Sequence, residues 1–252
     1  MTVRCSSLPR AILAVTALVL ASGTAYAECP DDAAIDAFLA ARAEARPVPA
    51  PVTAGGTMED ALCAQGKILT KLEKVEGPVV GYKAGLTSPK AQEAFGVTEP
   101  VFGTLLEGMI LPPGATVKAG DANRALFEAD LVVEIADPAV NDATTPEEVL
   151  ATIAGIRPFI ELPALVVASE EKLDGPAITS INVGAWKGVM GEVIPVPQGD
   201  VGAEMLSEFT AKLTDDATGE TLSAAPGKAV LGNPLNAVIW IAQTLKAQGK
   251  SL

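Results

Sequence analysis

Phe127-Glu128-Ala129-Asp130-Leu131-Val132-Val133-Glu134-Ile135 is the stretch from which the rest of the chain can be read. Its residues alternate with period two, the pattern of a strand with two unlike faces. Phe127, Ala129, Leu131, Val133 and Ile135 share one face, which is apolar and reads as a core face. Glu128, Asp130 and Glu134 share the other, with Val132 among them. Carboxylates at i and i+2 of a strand stand side by side and repel unless a proton or a cation lies between them. Two readings of that face stay open on this stretch alone: an acidic surface wet by solvent, or part of a cation site.

Composition narrows the chemistry. The chain has 252 residues, 49% hydrophobic and 19% charged, with 23 Gly and 19 Pro. That is globular composition, with room for one large domain or two small ones. A net charge of −13 makes nucleic acid and anionic membrane surfaces poor partners. The sequence contains no histidine. Ser-His-Asp and Cys-His catalysis are therefore excluded, and so is any imidazole metal site. Proton transfer falls to carboxylates, Lys, Tyr or bound water. A catalytic metal would need hard oxygen ligands, which suits Mg, Mn or Ca rather than Zn or Cu.

Residues 1–27 read as an export signal. Arg4 and Arg10 precede the apolar run Ala11 to Ala21, and Ala25-Tyr26-Ala27 is an A-x-A site with cleavage after Ala27. The apolar run is too short to span a bilayer, and no later run is long enough. The expectation is an exported chain, periplasmic or secreted, with no membrane attachment once the signal is gone. Cys29 and Cys63 remain after cleavage. In an oxidising compartment a disulfide between them is expected, with two buried thiols as the alternative.

Pro30 to Arg46 reads as a helix with Ile35, Phe38 and Leu39 as its apolar stripe. An extended linker follows at Pro47-Val48-Pro49-Ala50-Pro51. Thr57 caps a second helix, and Gly77-Pro78 stops the chain before a strand over Val79 to Gly85. Met109 to Val117 reads as a broken strand. Thr145-Pro146-Glu147-Glu148 has the cap, the Pro and the acid of a helix start, and that helix is expected to run to about Ile156 and to be stopped at Arg157-Pro158. Phe159 to Val167 reads as a buried strand holding one acid, Glu161, and a buried acid needs a partner. Trp186 to Val196 is strand-like, and a hairpin turns around Asp215 to Gly219. Asn233-Pro234 caps a last helix ending near Gly249. Strands and helices mix without βαβ alternation, which indicates an α+β fold.

Six blocks in order resemble one family. Gly81-Tyr82-Lys83-Ala84-Gly85-Leu86-Thr87 is similar to its GYKxGLT signature, and Phe102-Gly103-Thr104-Leu105 to its next block. Glu128-Ala129-Asp130 resembles its ExE pair, and Pro158-Phe159-Ile160-Glu161 its third acid. Leu231 to Val238 resembles its GxPLNAxxWLA helix, and Met58 to Gln65 its LEDAYxxQ region. The family is that of 2-keto-4-pentenoate hydratase and 4-oxalocrotonate decarboxylase, within the fumarylacetoacetate hydrolase superfamily. The resemblance implies a mixed β-roll with flanking helices, helical over residues 28–76 and a roll over residues 77–252. It implies a divalent metal, Mg or Mn, held by Glu128, Asp130 and Glu161. A small 2-oxo or 2-hydroxydienoic acid would be hydrated or decarboxylated there by way of a metal-stabilised enolate. Lys83 would face the same pocket and hold the substrate carboxylate or move a proton; otherwise it is a surface lysine. An assembly of identical chains is expected.

Departures from the family favour a second reading, a catalytically weak exported relative that binds a carboxylate ligand or a partner protein. Asp130 replaces the second Glu, one methylene shorter and still a competent oxygen ligand. Val101 stands where many members carry an acid, and Gly184 where many carry Ser. Members usually continue beyond the position of Leu252, so the roll is expected to be short at its C-terminal side. The hydrolase branch of the superfamily uses a His-Glu pair, which the lack of histidine disfavours.

Overall fold

The computed structural model describes residues 29–252, and the expected signal with Ala27 lies outside them. Helix α1 (Asp32–Ala43) starts on Asp31, whose carboxylate accepts the Ala34 N–H at 2.8 Å. Helix α2 (Met58–Glu76) starts on Thr57, which accepts the Asp60 N–H in the expected way. Ile35 and Phe38 of α1 pack with Ile68 and Leu72 of α2 in one cluster. That cluster continues into Leu105, Leu106, Ile178 and Val183, so these helices and the following strands share a core.

A Cys29–Cys63 disulfide ties the entry of α1 to α2 across 34 residues, with the Cα atoms 5.6 Å apart. Closing a loop of that length removes chain entropy from the unfolded state worth roughly 3–4 kcal/mol. A double Cys→Ser variant is expected to lose about that much stability in urea melts. A midpoint unchanged from wild type would mean that native strain cancels the benefit.

Strand β1 (Val79–Gly85) and β2 (Val101–Leu106) form an antiparallel ribbon, with the short helix α3 (Pro89–Phe95) in the connection. All six residues of β2 are buried. Next in order are β3 (Ile110–Leu111), β4 (Glu128–Ile135), α4 (Pro146–Leu150) and β5 (Ile153–Leu162). Helix α5 (Gly175–Ser180), β6 (Lys187–Met190) and α6 (Gly199–Glu208) follow. The hairpin β7 (Thr210–Thr214) and β8 (Thr221–Pro226) leads to α7 (Pro234–Ala247), capped by Asn233. The main sheet has the order β3-β6-β5-β4; β3 runs parallel to β6 and the other pairs are antiparallel. The result is a mixed α+β fold whose strands do not close into a barrel among the described residues.

Local outcomes differ from expectation. The strand read over Met109 to Val117 shrinks to Ile110–Leu111, and the strand read from Phe159 to Val167 ends at Leu162. Helix α4 has the full capping box at Thr145 and Glu148 but stops at Leu150. Thr152 folds its hydroxyl back onto the Val149 carbonyl at 2.7 Å, and the β-branched Ile153 and Ile156 enter a strand instead. Arg157 and Pro158 therefore lie inside β5 rather than ending a helix. The Pro158 carbonyl accepts Gly191 N–H at 2.8 Å, so the prolyl nitrogen faces the same edge, just past the end of β6. Its missing N–H costs the ladder to β4 nothing. Finally, Phe127 is 56% exposed, not in the core. Pairing of β4 starts only at Glu128, while Val133 and Ile135 further along do pack on Val149, Leu150 and Leu206.

Candidate metal centre

Antiparallel register gathers the acids. Glu128 of β4 lies directly opposite Glu161 of β5, and Asp130 lies opposite Phe159. Directly paired residues project to the same face, so Glu128, Asp130 and Glu161 converge. One carboxylate oxygen from each lies within 4.8 Å of the others. On the far side of β5, Gly188 of β6 pairs with Glu161. A Cβ on Gly188 would fall 1.9 Å from the Phe159 ring, so the glycine makes room for that ring on the floor of the site.

Lys83 reaches the cluster from β1. Its ammonium forms an ion pair with Glu161 Oε1 and donates to the Val183 carbonyl at 3.2 Å. Gly103 lies opposite it, where a Cβ would meet the Asn182 carbonyl at 2.7 Å and the Lys83 stem at 3.0 Å. Glu161 Oε1 is buried and, the ion pair aside, has no partner with hydrogen-bond geometry.

Sequence reasoning missed what holds Lys83 in place. Asn182, Val183 and Gly184 have φ of 56°, 52° and 68°. Left-handed backbone at a β-branched residue such as Val183 is costly and persists only where the surroundings impose it. Here Asn182 imposes it: its side chain accepts Thr104 N–H at 2.8 Å and donates to Thr104 C=O at 2.9 Å, in the manner of a strand partner. The turn aims the Val183 carbonyl at Lys83. Nothing in periodicity signals this; only the run Asn-Val-Gly hints at a turn. Val101, by contrast, is a core residue packed near Val183 and Gly85, and it does not border the site. A side chain at Gly184 would be strained by its φ and would crowd Leu165 at 3.2 Å.

The three acids and Lys83 border or adjoin a cavity of about 1000 Å³, whose walls include Tyr82, Phe159, Arg157 and Val238. Glu128 and Asp130 keep some solvent exposure, but the groups around their carboxylates strip most of their hydration. Burial pushes the Glu128 carboxyl up, against the pull of Lys83. Burial, then the charge of Glu161, pushes Asp130 up to about 7. Three acids against one ammonium leave the cluster short of positive charge, and one of its oxygens is buried without a hydrogen bond. Such an all-oxygen donor set fits a hard divalent cation.

The sign of the pH dependence follows from the raised pKa. A carboxyl protonated in the fold but ionised when unfolded costs stability as pH rises from about 4 to 7. A cation must displace that proton, so its affinity should climb by up to about tenfold per pH unit below 7 and flatten above. Calorimetric titration with Mg2+ at pH 5.5, 6.5 and 8 checks this; affinity independent of pH would place the cation elsewhere.

The mixed sheet that carries this oxygen-only acidic cluster and its lysine belongs to a fold shared with a solved decarboxylase. The 4-oxalocrotonate decarboxylase from Pseudomonas putida G7, solved with magnesium and adipate, superposes with a TM-score of 0.70 at 22% identity. The match covers 87% of this chain and 82% of that one. No protein-family model matches the sequence. The 2-keto-4-pentenoate hydratase of Burkholderia vietnamiensis (strain G4 / LMG 22486) is 31% identical over 196 residues, covering 74% of this chain and 69% of the hydratase. The chain belongs to the 2-keto-4-pentenoate hydratase and 4-oxalocrotonate decarboxylase family. The 2-keto-4-pentenoate hydratase of Paraburkholderia xenovorans (strain LB400) is 30% identical over 175 residues, or 69% of this chain. The chain spans 62% of the length of that relative.

Proposed function

We propose that the protein is a magnesium-dependent lyase that decarboxylates, or more slowly hydrates, a small 2-oxo or 2-hydroxydienoic acid. The carrying observation is the convergence of Glu128, Asp130, Glu161 and Lys83 at one cavity. Glu128, Asp130 and Glu161 would hold the cation, which supplies positive charge to the two adjacent oxygens of a 2-oxo acid. Lys83 has three N–H donors, and its contacts with Glu161 and Val183 leave one for a ligand. That proton would be available to the carbon next to the 2-oxo group of an acid held at the cluster. Adding water also needs a second polar group to deliver it, and Val101 in the core and Gly184 in its strained turn provide none. Decarboxylation and enolisation are therefore favoured over hydration.

Export to an oxidising compartment is part of the proposal, and the Cys29–Cys63 bond is what supports it. The second reading, an exported binder of carboxylates or of a partner protein, draws on the same two positions. Deuterium exchange at carbon 3 of 2-oxopentanoate, followed by NMR with and without Mg2+, separates the two. Exchange faster than Mg2+ alone supports the lyase; exchange no faster leaves the binder.

A further inference from the structure

Gln65 is 3% exposed and shares the buried face of α2 with Ala61, Ala64, Ile68 and Leu72. No residue of α2 lines the cavity, so the chemistry above leaves this buried amide unexplained. Its nitrogen donates to the Phe102 carbonyl of β2 at 2.9 Å and to the Thr179 carbonyl of α5 at 3.3 Å. Both partners are acceptors, which fixes the amide with its NH2 toward them and uses both of its N–H groups.

Phe102 and Thr104 stand two apart on β2 and turn their backbone groups to one edge, the edge away from β1. Side-chain amides occupy that edge: Gln65 at Phe102, and Asn182 at Thr104. Gly103, between them, faces Lys83 across the register. Thr179 lies near the end of α5, where a helix leaves carbonyls without intrahelical partners. Gln65 therefore ties the start of the run 179–183 to β2, and Asn182 ties the run to β2 again near its end. The last residue of that run is Val183, whose carbonyl holds the Lys83 ammonium. The passage for the lysine stem is narrow, since a Cβ on Gly103 would meet both the Asn182 carbonyl and that stem within 3.0 Å.

We propose that Gln65 is a positioning residue for Lys83: its amide fixes the gap between β2 and the turn at Asn182 to Gly184, and that gap sets where the ammonium stands. This rests on the reading of Lys83 as the proton carrier and extends its support to a helix outside the cavity. The competing role is simple satisfaction of two buried carbonyls, which would matter to stability alone. Ser180 supplies the comparison. It is fully buried, accepts the Val52 N–H at 3.3 Å and donates to the Ala177 carbonyl at 2.8 Å. Its hydrogen bonds reach neither β2 nor the turn.

The test sets Gln65→Met, which keeps the length of the side chain and loses both donors, beside Ser180→Ala. Carbon-3 exchange of 2-oxopentanoate is followed against its concentration at saturating Mg2+, well below the melting temperature. Gln65→Met is expected to lower the maximal rate about tenfold, with KM and the Mg2+-induced rise in Tm as in wild type. Ser180→Ala should melt earlier and exchange at the wild-type rate. Reductive methylation with formaldehyde and cyanoborohydride, read by mass spectrometry, needs neither metal nor substrate. Measured against Lys187, which stays paired with Glu76, Lys83 should react several-fold faster in Gln65→Met than in wild type. Should Gln65→Met fail to fold, Gln65→Asn keeps both donors one methylene short and carries the same expectations, with a rate loss of about threefold. Unchanged methylation of Lys83 in the folded variant overturns the positioning role, and so does a loss confined to KM. If wild-type exchange is no faster than with Mg2+ alone, the lyase reading fails, and the methylation ratio by itself decides whether Gln65 holds Lys83.

Discussion

Glu161→Gln is expected to abolish the thermal stabilisation that Mg2+ gives the wild-type chain. A ligand at a hundred times its Kd stabilises the native state by about 2.7 kcal/mol. For a chain of this size that is a rise in Tm of roughly 5–10 °C. Glu161 is 4% exposed, lies on the central strand β5 and faces Glu128 across the register, so it is the one acid that the sheet holds rigidly. Glu128 and Asp130 sit on the edge strand and are solvent-exposed. Losing the anchored ligand should cost far more than losing a rim charge. A second readout needs no metal. The Glu161 charge is the largest electrostatic cause of the raised Asp130 pKa, so in the variant Asp130 should titrate lower. Wild type and variant responding alike to Mg2+, with Asp130 unmoved, would remove Glu161 from the site.

The acid cluster was readable in advance because strand periodicity is a geometric rule. Once Glu128 and Asp130 are placed on one face, only the register of β5 decides whether Glu161 joins them. The caps at Thr57, Thr145 and Asn233 were readable for a similar reason, since each satisfies its own helix start with local atoms. The length of α4 was not readable: a cap states where a helix begins, whereas Thr152 and the pull of the β4 ladder decide where it ends. The turn at Asn182 to Gly184 was hidden because its strain is imposed by Thr104, far away in sequence. Arg157 was misplaced with α4, at the supposed end of a helix, and its position on the cavity floor became visible only with the β4 register. What escaped the sequence was, in each case, set by a partner on another strand.

Lys83→Ala is expected to separate chemistry from metal binding. The ammonium now lowers the pKa of both Glu128 and Asp130, so it competes with a cation for the same carboxylates. Removing it should leave the Mg2+-induced rise in Tm at least as large as in wild type. The same change takes away the proton donor beside the cavity. Misplacing a general acid or base typically costs 10²–10⁴-fold, so carbon-3 exchange of 2-oxopentanoate should slow by at least about a hundredfold. The two variants then behave oppositely: Glu161→Gln loses stabilisation and exchange together, and Lys83→Ala loses exchange alone. Asn182→Ala should resemble a partial Lys83→Ala, because it releases the Val183 carbonyl that positions the ammonium. One outcome would reverse the assignment. If Lys83→Ala lost the Mg2+ response as fully as Glu161→Gln does, the lysine would be a prop that holds Glu161 in place, and the travelling proton would have to come from water in the cavity.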